Sequence, residues 1–140
     1  MERVLIEFIA ILILLIPTGW QIANDWKGDY NKSMDVLIWS LFAIAGGVVN
    51  FLWITGKAVF DSVVLSWGMH FMIFDYLIAY VHLSNGTVEQ PRGNPYHWFS
   101  YLGSGPVDSI KFWRNMSPKL RLVIRIIVFA GCVAIYAIKR

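Results

Sequence analysis

The stretch Gly68–His82, GMHFMIFDYLIAYVH, places two histidines and an aspartate inside an apolar run. With His97 and the single Cys132 these are the side chains that suggest metal, haem or proton chemistry. Zinc or haem sites need ligands at helical or paired spacing, such as His-x-x-x-His or Cys-x-x-Cys. Neither spacing occurs. On one helix His70 and His82 would lie about 18 Å apart, too far to share an ion. The reading is therefore no metal and no cofactor, with His70 a hydrogen-bonded structural histidine.

Hydrolytic chemistry has as little support. GSGP at Gly103 lacks the Gly-x-Ser-x-Gly pattern on a strand–turn–helix unit. There is no glycine-rich phosphate loop, and no enzyme is expected.

The elements that must position these groups follow from composition. The chain has 140 residues, 57% hydrophobic and 15% charged, with mean hydropathy +0.56. Soluble domains carry roughly 25% charged residues. A chain this short builds one soluble core at most, and its apolar residues exceed what such a core hides. They fall in four runs: Val4–Ala23, Val36–Thr55, Ser62–Val81 and about Leu122–Ile138. Each is near 20 residues, and such a helix rises about 30 Å, the thickness of a bilayer's hydrocarbon. Inside that layer the backbone must satisfy its own hydrogen bonds, so helices are expected.

The expected fold is all-α: one polytopic membrane domain, a bundle of four transmembrane helices in contact with the lipid bilayer. The first run reads as a retained span, since Glu2 and Glu7 and the lack of a small-x-small site do not suit a signal peptide. Pro17 is a candidate kink in it. The net charge of +3 comes from Lys and Arg scattered at the ends of apolar runs, which suits membrane anchoring and not nucleic acid. One cysteine excludes an internal disulfide.

The connections differ. Asn24–Asp35 is polar. Gly56–Asp61 is short enough to make spans two and three an antiparallel hairpin. His82–Arg121 is long, with Pro91, Pro95, Pro106 and Pro118. Within it Tyr96, Trp98, Phe99 and Tyr101 cluster, and SGPVDSIKFWRNM predicts a short amphipathic helix lying at the interface. Ser104 would cap it, Pro106 would open it and Asp108 would favour its N-terminus. Val107, Ile110 and Trp113 would share its apolar face, with Lys111 and Arg114 turned elsewhere. These aromatic and basic residues are the candidate recognition surface.

Basic residues are more numerous on the first and third connections (Lys27, Lys32, Arg92, Lys111, Arg114, Lys119, Arg121) than on the other side (Arg3, Lys57, Lys139, Arg140). That places both termini outside the cytoplasm. The Asn-x-Ser/Thr triplets at Asn31, Asn85 and Asn115 would argue for the reverse in a eukaryotic chain.

Ionisable residues inside a span need partners. Laid out at about 100° per residue, span three has two polar stripes on nearly opposite faces. Asp61, Asp75 and His82 form one; Ser62, Ser66 and His70 form the other. A helix so built is expected at the centre of the bundle. Span two carries Ser40, Ala43, Gly47 and Asn50 on one face, with Asn50 level with Ser66 or His70. Span four has Ala130, Ala134 and Ala137 as a packing stripe. Asp75 and Arg125 fall at similar depth and are expected to pair, although Arg121 and Arg125 at the start of span four can also snorkel outward. The functional expectation is a non-enzymatic structural or accessory subunit that assembles with itself or with other membrane proteins. The competing one is an oligomeric, holin-like channel with span three lining the path.

Overall fold

The computed structural model describes residues 1–26, 32–85, 107 and 110–138. Among them the chain is helical, with no strand: α1 (Glu2–Trp26), α2 (Lys32–Val49), α3 (Val59–Asn85), α4 (Lys111–Arg114) and α5 (Pro118–Ala137). Among the described residues, three helical segments, Glu2–Asn24, Met34–Ile54 and Pro118–Ala137, are long and apolar enough to cross a membrane. The run expected as span three lies within α3, which is not among these three; it carries Asp61, Ser62, Ser66, His70 and Asp75.

The termini of the elements have local causes. α1 runs through Pro17, which is buried and does not end the helix. α2 closes in a π-helical turn, Asn50–Ile54, where the Asn50 carbonyl accepts from the N–H groups of Thr55 (2.9 Å) and Gly56 (3.3 Å). Gly56 has φ +69°, the left-handed conformation that stops a helix at least cost to glycine. α5 starts a turn before the apolar run suggests. Ser117 caps it by accepting from Leu120 N (3.3 Å), and Pro118 occupies the first turn. At the other end of α2, Asn24 donates to Asp35 (3.0 Å), tying the end of α1 to the first turn of α2.

α3 packs against α1, α2 and α5, and so stands at the centre. The core is small: Leu14, Leu65, Met69 and Tyr136, with Leu15 and Phe129 against it. Polar side chains share this interior. Thr18, Asn50, Ser62, Ser66, Asp61, Arg121 and Arg125 are all buried. The outward surface is the apolar one. Only 22% of the most apolar stretch of each candidate span is buried, and Val4, Phe8, Leu12, Leu41, Phe51, Trp53 and Ile127 are exposed. So large an exposed apolar surface suits a hydrocarbon solvent rather than water.

Two packing expectations are corrected. The alanine stripe of the last helix, Ala130, Ala134 and Ala137, faces outward. The face of α5 turned to the bundle is Arg121, Arg125, Cys132 and Tyr136. These are bulky or polar groups, and the small partner is Gly68 on α3. Arg121 and Arg125 do not snorkel: both are buried, at 4% and 3% exposure. Each has polar groups to meet inside, which offset its removal from water.

The short helix of the third connection is also smaller than expected. It covers Lys111–Arg114, with Ile110 at its N-cap and no side-chain cap. Ser104, Pro106 and Asp108 lie outside the described residues.

Candidate functional site

The polar groups of the bundle gather in two places on opposite sides of α3. The first is built around Arg125. Asp75 lies on α3 and Arg125 on α5, and their side chains meet with Arg125 Nη2 2.5 Å from Asp75 Oδ2. The second arm of the guanidinium, Nη1, donates to the Phe71 carbonyl. Three aromatic rings surround the cation, with Cζ 4.7 Å from the centroid of Phe71, 5.3 Å from Tyr76 and 5.4 Å from Trp113. A desolvated guanidinium over ring faces gains from their quadrupoles. The planar fork lets one side chain hold a carboxylate and a carbonyl together.

Trp113, expected on the apolar face of the short helix and among the recognition candidates, is buried, at 6% exposure, against Phe71 (ring centroids 5.8 Å apart) and Arg125. Lys111 and Arg114 stay exposed, and the exposed ring of α4 is Phe112 at 77%. One turn before Arg125, Arg121 donates to the Met116 carbonyl (2.7 Å) and to that of Arg114 (3.4 Å). The two arginines thus fasten α4: one through its terminal carbonyls, the other through its tryptophan. Sequence reasoning missed this use of Arg121. Its spacing of four from Arg125 was the available signal.

The second place faces α1 and α2. Asn50 is fully buried where α2 passes into its π turn. Its amide donates to Ser62 Oγ (2.9 Å) and Tyr136 Oη (3.1 Å), and its carbonyl oxygen accepts from Thr55 Oγ1 (2.8 Å). Asn50 therefore joins α2, α3 and α5. Its partner on α3 is Ser62, not Ser66 or His70, because the short turn sets the hairpin register lower. Ser66 donates to the Leu14 carbonyl of α1 (2.8 Å). His70 Nδ1 shares a hydrogen bond with Thr18 Oγ1 (3.2 Å), and its ring stacks on Phe74 (4.4 Å) and tilts against Trp39 (5.1 Å).

From Asn50 the bonding continues to the end of the bundle. Tyr136 Oη reaches Glu7 Oε2 at 3.5 Å, and Lys57 Nζ donates to the Tyr136 carbonyl (2.8 Å) while lying 4.7 Å from its ring centroid. Beside them is a pocket of about 560 Å³ lined by Arg3, Ile6, Glu7, Phe51, Ile54, Thr55, Lys57, Asp61 and Ile138 among others.

The structure thus brings Asp75 to Arg125 and separates both from His70, which serves the opposite face of α3. His82 lies on α3, but its side chain is outside the described residues, as are Tyr96, Trp98, Phe99 and Tyr101. Among the described residues, no three His, Cys, Asp or Glu side chains come together as a metal site requires. No protein-family model matches the chain, and no curated protein or solved structure is significantly similar to it.

Proposed function

We propose that the chain is a non-enzymatic, four-span integral membrane protein that serves as a structural or accessory subunit, assembling with itself or with other membrane proteins. In this reading α3 is span three and crosses the bilayer with the other three helices. The carrying observation is where the interior polar groups are spent. Thr18, Asn50, Ser62, Ser66, His70, Asp75 and Arg125 each bond to another helix of the same chain. A polar helix can cross a bilayer when its polar groups meet protein instead of lipid. α3 does so on both sides.

The pattern favours packing over conduction. An amide nitrogen does not pass protons along, and Asn50 stands between Ser62 and Tyr136 in the bonded chain. The exposed Lys111, Phe112 and Arg114 on α4, with the aromatic cluster of Tyr96, Trp98, Phe99 and Tyr101, are the proposed recognition surface; the basic residues of the first and third connections support the proposal that both termini lie outside the cytoplasm.

Blue-native electrophoresis of gently solubilised full-length protein, followed by reconstitution in liposomes, tests the reading. The expected result is no ion flux, with migration alongside other membrane chains or as a defined self-assembly. A closed homo-oligomer that conducts protons and loses conduction on Asp75→Asn would replace it with the channel.

A further inference from the structure

The pocket beside Tyr136 gathers charged groups of both signs. It lies where the N-terminus of α1, the turn between α2 and α3, and the C-terminus of α5 meet. In a bilayer-spanning bundle that is the level of the headgroups, a placement that rests on the membrane reading above. Among the described residues, two cations and two carboxylates line it: Arg3 and Lys57, Glu7 and Asp61. Arg3 and Glu7 are one turn apart on α1 and so share a face. Asp61 is 2% exposed, on the first turn of α3. Apart from Thr55 and Gly56, the remaining lining residues are apolar. Ile6, Phe51 and Ile138 are 41%, 48% and 54% exposed and continue onto the outward faces of their segments.

We propose that this pocket holds the headgroup of a zwitterionic phospholipid bearing a primary ammonium, of the phosphatidylethanolamine class. Its phosphate lies toward Arg3 and Lys57. Its ammonium lies toward Glu7 and Asp61. Its acyl chains leave along Ile6, Phe51 and Ile138.

Three observations select this occupant. Charges of both signs suit a zwitterion better than an anionic lipid, whose headgroup brings no cation to the two carboxylates. A primary ammonium has three N–H donors for carboxylates. A quaternary choline has none and is recognised by aromatic cages, whereas Phe51 is the one aromatic ring among the described lining residues. The apolar wall open to the bilayer favours a lipid over a free small zwitterion. Lys57 can contribute while bonded to the Tyr136 carbonyl, since that bond uses one of its three N–H donors.

The test is native mass spectrometry of the solubilised full chain with equimolar phosphatidylethanolamine, phosphatidylcholine and phosphatidylglycerol of the same acyl chains. The expected result is highest occupancy by the ethanolamine lipid. Arg3→Gln, at an exposed position, should weaken its binding about fivefold, the effect of one interfacial cation. Glu7→Gln, which keeps an acceptor for Tyr136, should weaken the ethanolamine lipid and strengthen the glycerol one. Equal occupancy by all three lipids, preference for phosphatidylglycerol, or an Arg3→Gln protein that binds as the parent does would each overturn the site. Displacement by soluble phosphoethanolamine at the lipid's own concentration would overturn the lipid in favour of a free metabolite. Protein that fails to sediment with membranes after carbonate washing overturns the membrane reading itself. Membrane-bound protein without headgroup preference overturns only the pocket.

Discussion

Gly68 of α3 lies directly against Cys132 of α5: a methyl group at position 68 would stand 2.7 Å from both Cβ and Sγ of Cys132. No side chain has room there, so this glycine sets how closely the two helices approach. Gly68→Ala should cost about 1–3 kcal/mol through overpacking. Cys132→Ala should not relieve it, because the offending Cβ remains, whereas Cys132→Gly should recover part of the loss. Thermal midpoints of the detergent-solubilised variants check this. A Gly68→Ala protein as stable as the parent would mean that the helices are farther apart.

The Asp75–Arg125 pair should behave as a buried unit. Removing one partner strands a charge in the bundle, and such one-sided changes cost about 3–5 kcal/mol. Arg125→Ala should therefore give aggregated or unfolded protein on size exclusion. The Asp75→Asn, Arg125→Gln double variant should recover folded material relative to either single change. Arg125→Lys should recover little, since an ammonium does not reproduce the fork that reaches both Asp75 and the Phe71 carbonyl. A double variant no better than the singles would show that the pair contributes nothing to folding.

Asn50 should tolerate substitution least among the uncharged polar residues. Asn50→Leu leaves Ser62, Thr55 and Tyr136 each short of a partner, at about 1–3 kcal/mol for each group left unsatisfied. Tyr136→Phe removes a single acceptor from Asn50 and should be milder. Chemical-denaturant midpoints in detergent rank the two variants; the reverse order would place the node elsewhere.

If α3 crosses the membrane, the segments before and after it lie on opposite sides. Ala58 and Asn115 are both exposed and flank it. In a Cys132→Ala background, Ala58→Cys and Asn115→Cys should react with a membrane-impermeant maleimide from opposite faces of sealed vesicles. Reaction from one face would leave three spans, with α3 not crossing.

Much of this arrangement was legible along the chain, and particular residues show why. The apolar runs located the helices because bilayer thickness and helical rise fix their length independently of packing. Two opposed polar stripes put α3 at the centre, since lipid satisfies neither. Similar depth from a shared connection was enough to suggest Asp75 with Arg125. Ser117-Pro118 carries a cap signal that lies outside the apolar run, so hydrophobicity alone starts α5 a turn late.

Facing and register were not legible. The alanines of α5 resemble a packing stripe, yet the close approach is made by Gly68 on the other helix, because only one of two surfaces needs to be small. Trp113 and Phe112 are adjacent aromatics in one short helix, and which of them is buried depends on Arg125 standing behind Phe71. The joining of Glu7, Lys57, Asn50 and Tyr136 needed three chain segments brought to one end of the bundle. By itself the sequence determined the solvent this protein suits and the elements it forms, since both follow from local hydrophobicity and backbone hydrogen bonding. Only the tertiary structure decided which polar groups meet, because a helix carries side chains all around its axis and packing selects the face.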